Sequence, residues 1–303
     1  MKSNPLNRRT FVQLAAGGLA ASALSAPALA QYRLPQDGTV RDRLWLFANP
    51  TNSTYPHTRR RSVVSPAEGA FYLGIPNIMM IQANKGPEAE HGRFDPPFEQ
   101  YAVALKPLKR VLWSLVGSGG FTTAAERKEG LELIRRTPNF VGTYLDDFFT
   151  PDAKDKRAVL SVDELRAIRD NLKAGGRKLE IHVTFYTQLL ELRLADYLAL
   201  MDGITLWTWR PEDLANLASN IARAKKLAPH LKTMLGCYMV DFTKRCSMPI
   251  PAMQHQCELG LKYLRENQIE GLVFLNNCVM DIGYEAVEWT RKWIEKIGDT
   301  RLS

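Results

Sequence analysis

The sequence has 303 residues, 45% of them hydrophobic, and a formal net charge of +8. This length suits one large domain or two smaller ones. The basic clusters at 59–61 and 225–226 have no interleaved aromatic residues and belong to no nucleic-acid-binding motif, so the sequence predicts no nucleic-acid partner.

The beginning of the chain has the pattern of an export signal. Arg8 and Arg9, with Phe11 two residues later, resemble the twin-arginine motif, and an apolar run at 14–24 follows. A small-x-small cleavage site occupies 28–30. The apolar run is too short to span about 30 Å of hydrocarbon. We therefore expect residues 1–30 to be a cleaved twin-arginine signal peptide, with no stable membrane insertion afterwards.

The remaining chain, 31–303, is predicted to be periplasmic or secreted. From residue 44 onward it repeats one unit: a short apolar strand, a loop and an amphipathic helix. Capping boxes that begin at Ser65 and Ser161 mark the starts of two helices. Strands are predicted at 44–49, 78–84, 111–116, 141–146, 180–186, 204–209, 233–241 and 271–277. The helices between them are predicted to begin near residues 65, 98, 123, 161, 189, 211, 251 and 283.

Eight strands that alternate with eight helices predict one α/β domain, a single (β/α)8 TIM barrel. A doubly wound open sheet is the competing interpretation. Such a sheet usually carries a phosphate-binding fingerprint after its first strand, and residues 48–51 do not form one. The Gly-rich segment 117–120 is not a nucleotide-binding loop either.

Cysteine usage indicates neither a metal site nor a cofactor. The four cysteines are Cys237, Cys246, Cys257 and Cys278, and none forms a CxxC pair. A zinc site of the usual spacing is therefore not expected. The sequence predicts no cofactor and no metal ligands, and leaves the disulfide state open.

The fourth predicted strand ends in two adjacent acids, Asp146 and Asp147. Alternation along a strand directs Tyr144 and Asp146 to the same face, which we take to be the barrel interior. In barrels of this kind the chemistry lies at the carboxyl ends of the strands. Asp146 is therefore the first candidate for a catalytic carboxylate, and Asp147 is a further candidate.

The other strands also direct polar and aromatic side chains inward near their carboxyl ends. Such groups are costly to bury unless they have hydrogen-bond partners. Amides, acids and tyrosines suit the hydroxyl groups of a sugar, and tryptophan suits its C–H face. A water-filled internal polar network is the alternative. The candidate ligand-binding residues are Asn49, Gln82, Asn84, Tyr144, His182, Tyr186, Trp207, Trp209, Tyr238 and Asn277.

Three segments carry a resemblance to a known family: 144–149 (YLDDFF), 206–209 (LWTW) and 235–238 (LGCY). Through these segments, the chain resembles exported bacterial proteins of the glycoside-hydrolase-like TIM-barrel superfamily. The resemblance implies a carbohydrate substrate and a catalytic acid at the end of the fourth strand, which corresponds to Asp146 or Asp147. Several families pair it with a Glu at the end of the seventh strand, where this chain has Asp241.

The resulting hypothesis is a glycoside hydrolase, or a related carbohydrate-active enzyme, that acts on an extracytoplasmic glycan by carboxylate acid/base catalysis. Asp146 is the expected principal carboxylate, and Asp241 is the expected opposing one. Glu88 and Glu90, in the loop after the second strand, are further acids that a closing loop could bring to a ligand. A non-catalytic carbohydrate-binding barrel and a metal-dependent sugar isomerase or lyase are the alternatives.

Overall fold

The computed structural model describes residues 37–53, 60–82, 92–150 and 157–302. The expected signal peptide lies outside these ranges. Three candidate site residues, Asn84, Glu88 and Glu90, also lie outside them. Within the described ranges, the structure contains no helix with the length and apolar character that crossing a membrane requires.

Eight parallel strands form a closed barrel, in which each barrel strand pairs with the barrel strands before and after it in the chain and the last pairs with the first. The prediction of a single (β/α)8 barrel is confirmed. The barrel strands are β1 Leu44–Ala48, β2 Asn77–Met80, β3 Arg110–Val116, β4 Phe140–Leu145, β5 Glu180–Tyr186, β6 Gly203–Trp207, β7 Lys232–Tyr238 and β10 Gly271–Leu275. A small antiparallel pair, β8 Val240–Asp241 and β9 Cys246–Ser247, follows β7.

An α-helix follows each barrel strand. Both predicted capping boxes are present: Ser65 with Glu68, and Ser161 with Glu164. The two shortest helices, Glu99–Ala104 and Ala195–Leu198, lie in segments where the sequence has no capping signal. The helices are α1 Pro66–Leu73, α2 Glu99–Ala104, α3 Ala124–Arg136, α4 Val162–Lys173, α5 Ala195–Leu198, α6 Leu217–Leu227, α7 Ile250–Arg265 and α8 Glu285–Ile297.

The seventh barrel strand is shorter than predicted. It was expected to run to Asp241, but its pairing with β10 ends at Tyr238. Val240 and Asp241 instead pair with β9 across a tight turn. The backbone N–H groups of Thr243 and Lys244 donate to the Asp241 carboxylate at 2.9 and 3.0 Å. An acid that binds its own turn in this way favours a reversal of the chain over a continued strand.

Aromatic side chains fill the barrel interior. The ring of Phe47 in β1 lies edge-on to Tyr144 in β4, with centroids 5.9 Å apart, and edge-on to Trp207 in β6 at 5.7 Å. These three strands are not neighbours in the sheet, so the contacts cross the interior. They confirm the predicted inward direction of Tyr144 and Trp207.

The strand that carries the acids follows an irregular path. Its pairing with β3 shifts register after Val111 and again after Ser114. Gly142 stands at the first shift, where Leu112 pairs with it directly. A Cβ atom added at Gly142 would lie 2.1 Å from the Glu180 carbonyl oxygen in β5. The close approach of β4 to β5 therefore requires glycine at this position.

We predict that Gly142→Ala lowers the free energy of unfolding by roughly 2 kcal/mol or more, because the added methyl group meets backbone rather than a movable side chain. Chemical denaturation of the two proteins measures the difference. Gly175→Ala is the matched control. Its added Cβ would have its nearest neighbours at 3.7 Å, and we expect a change within about 0.5 kcal/mol. Equal losses in the two variants would contradict this account of β4.

Candidate functional site

Asp146 lies immediately after β4, at the carboxyl-terminal end of the barrel, and is 5% exposed. Its backbone N–H still donates to the Val116 carbonyl oxygen at 2.8 Å, which continues the β-ladder by one residue. The hydroxyl of Thr184 donates to Asp146 Oδ1 at 2.7 Å and lies 3.1 Å from the Tyr144 hydroxyl. Tyr144, Asp146 and Thr184, which all point inward, thus form one buried hydrogen-bonded cluster.

Burial raises the pKa of Asp146 well above the usual aspartate value, and the charge of Asp147 raises it further. The hydrogen bonds from Thr184 and from the Asp147 backbone oppose this rise but do not cancel it. A carboxyl group in such surroundings holds its proton at a pH where an exposed aspartate has lost it. This is the property required of a general acid.

Asp147 turns out of the strand, with a φ of 42° in the left-handed region. Both oxygens of its side chain accept hydrogen bonds. Tyr186 donates to Oδ1 at 2.6 Å, and the backbone N–H of Gly119 donates to Oδ2 at 2.6 Å. Burial raises the pKa of Tyr186, as do the charges around it, so this phenol remains a donor. Asp147 therefore joins the loops after β3 and β4 to the end of β5.

Aromatic rings form a wall beside the two acids, across the ends of β5, β6 and β7. Trp207 and Tyr238 have ring centroids 4.7 Å apart. Trp209 stacks on Phe242 at 5.0 Å and is also edge-on to Tyr186 at 6.0 Å. Trp207 is buried, whereas Trp209 is 41% exposed. Trp209 therefore has aromatic surface that a ligand in solution can contact, whereas Trp207 is a buried member of the wall.

Asn49 and Asn277 lie on the opposite side of the mouth and bind each other. The Asn49 N–H donates to Asn277 Oδ1 at 2.9 Å, and Asn277 Nδ2 donates to the Asn49 carbonyl at 3.0 Å and to the Val64 carbonyl at 2.9 Å. Asn276 Nδ2 donates to Asn49 Oδ1 at 2.6 Å. These amides are buried and make their hydrogen bonds within the protein. Their hydrogen bonds join the loops after β1 and β10 to each other.

Gln82 also bonds within the protein, after β2. Its side-chain oxygen accepts from the Phe94 N–H at 3.3 Å, and its carbonyl accepts from the Ser118 N–H at 2.9 Å. It is 4% exposed. Gln82 therefore holds neighbouring loops in place, and Asn84, the other candidate from this segment, lies outside the described residues.

Asp241 lies in the β8–β9 turn and not at the end of a barrel strand. It is fully buried, and one of its carboxylate oxygens accepts from the turn as described above. Its other oxygen, Oδ2, has no hydrogen-bond partner among the residues that the structure describes and is 3.9 Å from Lys244 Nζ. The charge that raises the pKa of Asp146 is that of Asp147. The structure thus joins Asp146 electrostatically to Asp147, and its role opposite Asp241 stays a prediction.

His182 lies toward the other end of the barrel. Its Nε2 is 2.8 Å from a carboxylate oxygen of Glu180, the first residue of β5, and Lys232 at the start of β7 donates to the same carboxylate at 2.5 Å. Burial alone would raise the pKa of Glu180, but the bonds to these two partners lower it to about 2. His182 belongs to this ionic cluster and is not among the side chains at the mouth.

Two residues at the site were not among the sequence candidates. Thr184 binds Asp146, and its inward direction follows from the alternation of β5, but a lone threonine carries no chemical signal. Phe242 lies in the β8–β9 hairpin and stacks on Trp209. The sequence predicted one long seventh strand instead of this hairpin, so Phe242 was not recognised as a site residue. In the described part of the chain, no three His, Cys, Asp or Glu side chains are grouped so that they could hold a metal ion.

Comparison of the whole structure with solved structures identifies similar barrels. One is a Bacteroides thetaiotaomicron protein provisionally assigned as an α-L-fucosidase, with 11% identity and a TM-score of 0.53 over 86% of this chain and 97% of that one. The Bacillus megaterium spore cortex-lytic enzyme SleL has 10% identity and a TM-score of 0.53, over 87% and 75% of the two chains.

The β-D-glucuronidase of Dictyoglomus thermophilum has 10% identity and a TM-score of 0.52, over 85% of this chain and 51% of the glucuronidase. No protein-family model matches the sequence, and no curated protein matches it significantly. The structural similarity establishes a TIM barrel. At these identities it shows the fold alone, because one fold carries many activities.

We predict that Asp146→Asn stabilises the protein at neutral and alkaline pH. The folded state holds the proton more tightly than the unfolded chain does, so stability falls as the pH rises above about 3.8. An amide has no charge to desolvate, and it can still accept from Thr184. We expect the free energy of unfolding at pH 8 to rise by about 1–3 kcal/mol, with a smaller gain at pH 4.

Denaturation curves at the two pH values measure this effect. Asp163→Asn is the control: its side chain is 88% exposed, in the first turn of α4. Removal of a favourable charge at a helix start lowers stability slightly, by less than about 1 kcal/mol. A loss of stability in Asp146→Asn at pH 8 would show that the carboxylate is well accommodated and would overturn the prediction.

Proposed function

We propose that the chain is a glycoside hydrolase, or a closely related carbohydrate-active enzyme, and that Asp146 is its proton donor. The observation that carries the proposal is the buried carboxyl group of Asp146, with its raised pKa, at the end of β4 beside an aromatic wall. Cleavage of a glycosidic bond needs a protonated acid at the leaving oxygen. Asp146 is the acid in this chain whose surroundings favour that state.

In this proposal Asp147 provides negative charge next to the reacting sugar. The transition state of glycoside hydrolysis carries positive charge on the sugar ring. Tyr186 and Gly119 hold Asp147 in a defined direction without neutralising it. Fixed charge in a water-poor site stabilises such a transition state more than the same charge in water does. Asp241 remains the expected opposing carboxylate.

The aromatic wall is the proposed sugar platform. Aromatic rings present a flat apolar surface, and the C–H face of a pyranose is apolar as well. Trp209 is the exposed member of the wall, and its other neighbours Tyr186 and Tyr238 add hydroxyl groups that can bond to those of the sugar. These residues are expected to govern affinity more than turnover.

A non-catalytic carbohydrate-binding barrel is the second candidate. One observation favours it: the two acids joined electrostatically, Asp146 and Asp147, are adjacent in the chain. A hydrolase places its two carboxyl groups on opposite sides of the scissile bond, and the expected opposing acid, Asp241, binds its own turn. A binding protein would keep the platform and use the acids to bind sugar hydroxyl groups.

Turnover by Asp146→Asn separates the two candidates. For an aryl glycoside identified by screening, with a weakly acidic phenol that must be protonated as it leaves, we expect kcat to fall by about 10²–10⁴ while sugar binding is retained, because an amide cannot act as the acid. Trp209→Ala is expected mainly to raise KM. Asp163→Asn, whose side chain is 88% exposed at the start of α4, should match the parent protein.

Asp147→Asn and Asp241→Asn, measured alongside, identify the second carboxylate. A fall in kcat confined to one of them assigns the role to that residue. If Asp146→Asn turns over as fast as the parent protein with its fold intact, the catalytic proposal is wrong. Absence of turnover in the parent protein, combined with sugar binding that Asp146→Asn alters only in affinity, would identify a binding protein.

We further propose that the protein acts in the periplasm or outside the cell after twin-arginine export. The support is the sequence pattern of residues 1–30, with its paired arginines and cleavage site.

Replacing both Arg8 and Arg9 with Lys is expected to abolish export, since the twin-arginine route requires the pair itself and not merely positive charge. Fractionation of cells that express the full chain measures the periplasmic share. Arg60→Lys with Arg61→Lys, a basic pair in the mature part of the chain, is the control and should leave export unchanged. Normal periplasmic delivery of the variant lacking Arg8 and Arg9 would indicate another route.

A further inference from the structure

A cleft lies beside the aromatic wall, on the outer side of Trp209. Its volume is about 810 Å³, within the range of sites that hold small organic ligands. It is bounded by Thr187 and Gln188 after β5, by Trp209 and Arg210 after β6, and by the first turns of α6. The proposed function does not use this cleft.

The lining of the cleft suits the hydroxyl groups of a sugar. Three of the side chains are amides, those of Gln188, Asn216 and Asn220. Arg210 and Gln188 are exposed, and their side chains make no hydrogen bond or ion pair with any residue that the structure describes. Asn220, by contrast, is buried and lies 3.4 Å from Arg223 Nη1. The cleft therefore combines fixed polar groups with uncommitted ones, as a binding site for a polar ligand requires.

Trp209 connects the cleft with the acids. Its ring borders the cleft and is also edge-on to Tyr186, whose hydroxyl donates to Asp147. A ligand that stacks on Trp209 therefore has the acids on one side and the cleft on the other. A single sugar ring does not fill both places, whereas a chain of linked sugars extends from one to the other.

We propose that the cleft is a second sugar-binding subsite, and that the protein binds an oligosaccharide chain that crosses Trp209, with one or two sugar residues in the cleft. This inference rests on the proposed function and names its substrate class: a chain of linked sugars and not a monosaccharide glycoside. Arg210 and Gln188 bind hydroxyl groups of the sugar that lies furthest from the acids.

The test is binding by the full mature chain, measured by isothermal titration calorimetry in the Asp146→Asn variant so that no ligand is consumed. The probes are glucose and N-acetylglucosamine, with their β-1,4-linked oligomers of up to six residues. Affinity should rise about tenfold or more at the length that reaches the cleft, since each new net hydrogen bond contributes roughly 0.5–1.5 kcal/mol.

Adding Arg210→Ala and Gln188→Ala together should remove this gain and leave the affinity for shorter probes the same. Neither side chain has a hydrogen-bond or ion-pair partner among the described residues, so the fold should persist, and a thermal melt checks it. Arg265→Ala, an exposed position in the last turn of α7, is the control and should keep the gain.

Affinity that is independent of length, or a gain that survives the double substitution, would overturn the subsite while the proposed function stands. If none of these sugars binds at any length, the subsite is overturned for these chains. The proposed function is judged separately, by the turnover of aryl glycosides.

Discussion

Closure of the barrel between its first and last strands is the constraint on which the rest of the site depends. β1 and β10 pair in register from Leu44 with Leu272 to Phe47 with Leu275. Asn49 and Asn277 continue this seam beyond the strands through reciprocal side-chain and backbone hydrogen bonds. Once the seam is closed, the carboxyl ends of all eight strands meet around one opening. Asp146 lies beside β5 through direct strand pairing, and the curvature of the closed barrel turns the ends of β6 and β7 toward it.

Two of the buried or partly buried carboxyl groups in the barrel behave in opposite ways. Glu180, near the amino-terminal ends of the strands, has two cationic or hydrogen-bonding partners, His182 and Lys232, and its pKa falls to about 2. Asp146, at the other end, has one hydroxyl donor and an acidic neighbour, and its pKa rises. The same chemical group thus favours the charged form in one place and the protonated form in the other, where we propose that it donates a proton. Surroundings, and not residue type, determine the role.

Much of this architecture could be predicted from the sequence, because it depends on local periodicity. Alternation in β4 and β5 was sufficient to direct Tyr144, Asp146 and Tyr186 inward. The end of β7 could not be predicted in this way, because Asp241 leaves the sheet through bonds to its own turn. The hydrogen bonds that Asn49 and Asn277 make to each other could not be predicted either. A buried amide that binds protein and one that binds ligand look identical in sequence, and only the position of a partner more than 200 residues away distinguishes them.

The mouth of the barrel is consequently divided into two halves with different tasks. On the side of β1, β2 and β10, the described amide groups of Asn49, Gln82 and Asn277 make hydrogen bonds that hold loops together. On the side of β4 to β7 lie the acids, the exposed face of Trp209 and the cleft beyond it. The hydrogen bonds between Asn49 and Asn277 hold the closing seam of the barrel, while Asp146 is buried at a cost in stability on the other side. We therefore expect a ligand to be recognised mainly on the side of β4 to β7.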